Sequence, residues 1–317
     1  MNQTKFSLAD VLTILTALGF GYMCFLGTNF YTLGNVPKSI TVAIIITLIL
    51  FSIAFTAKRL KQTSVNFKTR FILEMLLLVV FTLFFVFFTY IPFSHYFTVS
   101  AKKDIIVSKI QISITQAENM FPAYEEYAEN RKELYNSNLK SAVTASLTSP
   151  TTYTNYGFKS GIISDETQLN KKMGDLNADL FPTNYSDPAS QKGIKEVATN
   201  WLLDAKNTTA SWKPIGITNV VVDIENKSNE WLATLVEISK KQEKGEQAID
   251  FSPPSPLPFD EIKQYFTTVE KPSGTSLLFA LVMWVLMILS WFVTKRHTRF
   301  PGLKLLFGKS KASNNEL

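Results

Sequence analysis

The sequence predicts a multi-pass α-helical membrane protein: four transmembrane helices, three plus one, with an α+β, mainly helical, extracytoplasmic domain between the third and fourth spans. Three observations predict it. The stretches 8–26, 39–57, 71–90 and 276–294 are apolar and nearly free of charge. A long polar insert, 97–275, separates the third from the fourth. Lysine and arginine are concentrated in two short segments, 58–70 and 295–317.

The length of the third stretch comes to about 30 Å as a helix, the thickness of a bilayer's hydrocarbon core. Helices follow because, without water, only a helix satisfies every backbone N–H and C=O within its own segment. Orientation follows from the basic residues. The loop 58–70 holds Lys58, Arg59, Lys61, Lys68 and Arg70, and the tail holds Lys295, Arg296, Arg299, Lys304, Lys309 and Lys311, whereas Lys38 stands alone between the first two spans. The loop and the tail are therefore expected in the cytoplasm, as are both termini, with Lys5 in agreement and residues 97–275 outside.

That insert carries 19 Lys and Arg against 23 Asp and Glu, although the whole chain is +6, so the basic balance belongs to the membrane-flanking segments. It reflects topology rather than nucleic-acid binding. The first stretch is longer than a signal-peptide core and no A-x-A-like site follows it in 27–34. Cys24 is the sole cysteine, which excludes an internal disulfide and a cysteine-based metal site.

Within the insert, Ile106, Ile110, Ile114, Ala117 and Phe121 recur at three and four, predicting a stalk helix that continues the third span past Pro92. Pro122 suits the first turn of a second helix, with Tyr124, Tyr127, Ala128, Arg131, Tyr135, Leu139 and Ala142 on one stripe. Such a stripe is usually core; any exposed part of Tyr124, Tyr127 or Tyr135 is the candidate partner interface. Residues 146–164 read as loop. Leu169, Met173, Leu176 and Leu180 mark a helix capped by Ser164 or Asp165, and Ile194, Val197, Ala198, Trp201 and Ala205 another, entered through Asp187-Pro188. Val220, Val221 and Val222, then a polar 225–230 and an apolar 231–238, read as a β-hairpin. Four prolines within 251–259 make a stiff extended connector, and a short helix from Asp260 leads to the last span.

No HExxH, Gly-rich phosphate loop, GxSxG or metal-ligand cluster occurs, so no catalytic residue, cofactor or metal is expected and the chain is read as a non-enzyme. The two histidines, His95 and His297, fall on opposite sides of the membrane and read as interfacial anchors. Glu74 lies deepest in an apolar run, four residues after Arg70, where it can reach the interface or pair at i, i+4; the sharper reading is an ion-coupling carboxylate. Asp10 resembles it. Gly19 and Gly21 permit close helix contact.

The three N-terminal spans with the basic 58–70 loop, the insert entered through 105–139, the 251–259 proline connector, and the final span with the basic 295–311 tail together resemble the TssN family. That family belongs to the inner-membrane part of the Bacteroidetes-type type VI secretion apparatus. The resemblance covers the whole chain through architecture and composition. It implies a structural, oligomeric role in the cell inner membrane, with other envelope proteins and the lipid bilayer as partners and no nucleic acid. The alternative class is a periplasmic sensor or an ion-coupled membrane protein using Glu74.

Overall fold

A computed structural model describes residues 7–62, 67–161, 163–253 and 259–296. The chain is mainly helical and divides into two compact units, 1–103 with 264–317, and 104–263. Lys5, Pro254, Pro256, Pro258, His297 and the tail beyond Arg296 lie outside the described residues.

In the first unit, α1 (Leu8–Tyr31), α2 (Val36–Gln62) and the continuous helix over Lys68–Ala101 are long and apolar enough to cross a membrane. The third is not uniform. It runs as α3 (Phe67–Phe84), a π-helical turn (Phe85–Thr89) and α4 (Tyr90–Ala101). Pro92 explains the wide turn: in a regular helix its ring would collide with the carbonyl of Phe88, four residues back, and widening the turn relieves this. The fourth apolar stretch is also interrupted. α11 (Gly274–Met287) stops at Ile288, whose φ of −99° and ψ of 5° leave the α region, and α12 (Leu289–Val293) follows.

The core between these helices is aromatic. Phe20 stacks on Phe93 at 4.7 Å and meets Phe85 at 4.9 Å, with Phe81, Leu50 and Met287 buried around them. Close approach needs missing side chains at two places. A Cβ on Gly21 would lie 2.0 Å from Thr47 Oγ1, and one on Gly27 would lie 1.8 Å from the Pro92 carbonyl oxygen. Gly19, the other expected contact glycine, has nothing within 4 Å of its Cβ position.

The second unit is built on α5 (Lys103–Thr144). Here the stalk and the second helix expected from the sequence are one element, and Pro122 sits exposed in its interior rather than in a first turn. The reason is a single buried stripe that continues through the proline: Ile106, Ile110, Ile114, Ala117, Phe121, Tyr124, Ala128, Arg131, Tyr135, Leu139 and Ala142. Burying all of it against one core outweighs the about 3 kcal/mol that an interior proline costs. The expected loop 146–164 contains a short α6 (Pro150–Asn155). α7 (Asp165–Leu180) starts where expected, with Ser164 Oγ accepting the Thr167 N–H at 3.2 Å. α8 (Ile194–Ala210) follows.

The β-hairpin is overturned: residues 217–238 lie within α9 (Pro214–Ser239), and no strand occurs among the described residues. Buried Ile217, Val221, Ile224, Ser228, Trp231, Leu235 and Ile238 alternate at four and three, a helical period that prevails over valine's β-preference. Trp231 contacts Trp201 of α8 edge-on at 6.0 Å and Phe121 of α5 at 5.9 Å. The domain is therefore helical where α+β was expected. The next helix, α10 (Phe259–Thr267), begins one residue before the expected Asp260.

Candidate functional site

Two polar clusters meet the short α12. Asp10, in the first turn of α1, accepts the Ser7 N–H at 2.8 Å and contacts the Lys58 ammonium and the Ser290 hydroxyl; Asp10 and Lys58 are both buried. One turn on, Thr13 Oγ1 donates to the Leu286 carbonyl and accepts the Ser290 N–H, each at 3.3 Å. This satisfies backbone groups that the break at Ile288 would otherwise strand.

The neighbouring residue joins the second cluster. Trp291 Nε1 donates to Glu74 Oε1 at 2.7 Å, and Arg296 grips the same carboxylate with both terminal nitrogens at 2.9 Å. Lys61 donates to the Trp291 carbonyl at 2.7 Å and lies 4.3 Å from its ring centre. Glu74 is fully buried. Its partner is Arg296 rather than Arg70, because the carboxylate faces the inside of the bundle where the post-α12 segment passes. A carboxylate held by a bidentate guanidinium and an indole is a fixed anchor, and ion coupling through it would require displacing Arg296.

His95 is buried inside the first unit, where its Nε2–H donates to the Phe266 carbonyl at 2.7 Å, so it fastens the last turn of α10 instead of resting at an interface. Cys24 is buried as well.

In the second unit the tyrosine stripe proves to be a row of donors. Tyr124 and Tyr135 are buried, which removes them as an exposed interface; the first donates to the Leu180 carbonyl at 2.8 Å and the second to the Lys244 carbonyl at 3.2 Å. Burial pushes both phenols above their ordinary pKa, so they stay protonated donors. Tyr127 is half-buried and donates to the Ile249 carbonyl at 2.5 Å. Between them on the same face, Arg131 reaches Glu246 twice, through Nε at 2.5 Å and Nη2 at 2.9 Å. It also donates to the Ser239 carbonyl at 2.7 Å and contacts that of Lys241. Burial opposes the Arg131 charge, but the bonds to Glu246 outweigh it and hold the guanidinium pKa above its usual value. Tyr127, Arg131 and Tyr135, spaced by four, thus pin residues 239–249 onto α5.

Neither Arg131 nor the Ser290, Trp291 and Arg296 group was singled out from the sequence as a site. Arg131 did leave a signal, since an arginine at a core position of an apolar stripe must find a buried anion. Among the described residues no three or more His, Cys, Asp or Glu are grouped to hold a metal ion. Compared with known proteins, the chain matches no family model, no curated protein and no solved structure.

Proposed function

We propose that this chain is a structural inner-membrane component of a trans-envelope assembly of the type VI secretion kind, working by association rather than catalysis. It spans the membrane four times, and its 104–263 unit is periplasmic and binds other envelope proteins.

The observation that carries the four-pass reading is the antiparallel match between the third helix and the α11–α12 stretch; the secretion role rests on the architectural resemblance. Tyr90 meets Ser276 at 3.3 Å between hydroxyls, while Glu74 meets Trp291. The two pairs stand 16 and 15 residues apart along their segments, about 22–24 Å as helix in each case. The apolar stretch 274–293 thus runs the length of the bundle and supports a fourth pass, returning the chain to the side it started from. A polar helical unit with its own core, held by apolar segments at both ends, then suits anchoring and recognition. Both buried membrane carboxylates are occupied by fixed partners, which counts against the ion-coupled alternative.

The test is crosslinking in native membranes followed by detergent purification of the full chain. Specific recovery of envelope proteins through the 104–263 unit is expected; an isolated monomer with no crosslinked partner would overturn the proposal.

A further inference from the structure

A groove of about 630 Å³ lies between α5 and the segment 247–252. Its apolar lining comes from Ala123, Tyr127, Leu134, Ala248, Ile249 and Phe251. Two of these large side chains are open to solvent, Ile249 at 82% and Leu134 at 58% exposure. Glu126 and Asp250 stand at the rim without an ion pair among the described residues, while the Arg131 charge is already taken by Glu246. The groove therefore presents apolar surface with net negative charge.

Its second wall has unused backbone. Residues 246–253 form no helix, turn or bend, and the N–H groups of Gln247, Ala248, Ile249 and Asp250 donate to nothing among the described residues. A lone non-helical segment is ordinarily mobile, yet this one is held to α5 by the bond from Tyr127 to the Ile249 carbonyl and to the end of α9 by the Phe251 N–H to Ser239 Oγ at 3.0 Å. Free donors on a held segment beside an apolar groove are the elements of recognition by strand addition, with the ordering cost already met within the fold.

We propose that this groove docks an extended segment of a partner protein, with an apolar anchor side chain flanked by lysine or arginine. The apolar residue covers Ile249 and Leu134, the basic residues meet Glu126 and Asp250, and the peptide's carbonyls take the N–H groups of Ala248 and Asp250, which alternate with the protein-facing backbone groups of Ile249 and Phe251. The inference rests on the assembly role proposed above and identifies the surface that serves it.

The experiment uses the detergent-solubilised full chain and two fluorescein-labelled probes, Lys-Val-Ile-Val-Lys and Glu-Val-Ile-Val-Glu, followed by fluorescence anisotropy. Saturable binding of the basic probe is expected, at least tenfold tighter than the acidic one and weakened at high salt. The double variant Glu126→Gln with Asp250→Asn should lose at least tenfold while its far-ultraviolet circular dichroism is unchanged. Equal binding of both probes, or no binding, overturns the proposal. So does a double variant that only shifts a dimer of this chain to monomer, which would make the occupant a second copy. If partners are still crosslinked but neither probe binds, the groove assignment falls and the assembly role stands; if no partner is recovered, the assembly role falls first.

Discussion

Arg131 is the residue on which the second unit's architecture turns. Its guanidinium and the Glu246 carboxylate are both almost fully buried, so neither charge has water to fall back on. Breaking one side of such a pair costs about 3–5 kcal/mol, because the other charge is left unpaired. Arg131→Ala should lower the denaturation free energy of the unit by that amount, read by circular dichroism, and Arg131→Lys should recover less than half. A lysine has no planar fork to hold two carboxylate oxygens and two carbonyls together. Full rescue by lysine would show that charge alone matters. Glu74 differs, since Arg296 keeps a quarter of its side chain exposed. Glu74→Gln retains an amide oxygen for Trp291, so a loss of about 1–2 kcal/mol in thermal stability is expected, with normal insertion and assembly. Function lost with insertion intact would instead revive ion coupling.

At the scale of elements, legibility tracked how far a single periodicity carries. The first three spans were readable because a long charge-free run has one physical solution in lipid. α7 was readable to within one residue of its cap, which the sequence left between Ser164 and Asp165 and the structure places at Ser164. α9 was not, although buried Ile217, Val221, Ile224, Ser228, Trp231, Leu235 and Ile238 have helical spacing: three adjacent valines suggested strand, and the period shows only once the polar 225–230 stretch is read through. α5 was divided at Pro122 because local proline chemistry signals a helix start, whereas burial of the stripe on both sides decides the outcome. Of the candidate sites, Glu74 was legible as an unusual carboxylate, but its partner lies 222 positions away and no local pattern names it. Helix contacts give the clearest element-level prediction. Gly27→Ala drives a Cβ into the Pro92 carbonyl, and a backbone atom cannot swing aside, so a loss of about 2–3 kcal/mol in thermal stability is expected. Gly19→Ala, with open space at its Cβ, should be neutral or slightly stabilising through helix propensity. Equal losses in both would mean that the Gly27 contact does not form.

At the scale of the whole molecule, the bundle has two chemically distinct ends. The start of α1, the end of α2, the start of α3 and the residues after α12 come together through Asp10 with Lys58, Lys61 with Trp291, and Glu74 with Arg296. At the other end Tyr90 meets Ser276, and His95 holds Phe266. Only the first end gathers Lys58, Arg59, Lys61 and Arg296, and an excess of basic residues marks the side that is not translocated. Part of that charge is neutralised within the fold by Asp10 and Glu74, but Lys68, Arg70 and Lys295 add to it from the same chain segments. With the four passes proposed above, this excess puts the first end in the cytoplasm and residues 104–263 outside it, which a fusion experiment tests. A reporter enzyme active only in the periplasm should work when fused after Ser149, between α5 and α6, and fail when fused after Leu317. Activity at both fusion points would mean that the 274–293 stretch does not complete a crossing. Activity at Leu317 alone would invert the assignment and move the Glu126 and Asp250 groove to the cytoplasm, out of reach of any envelope partner.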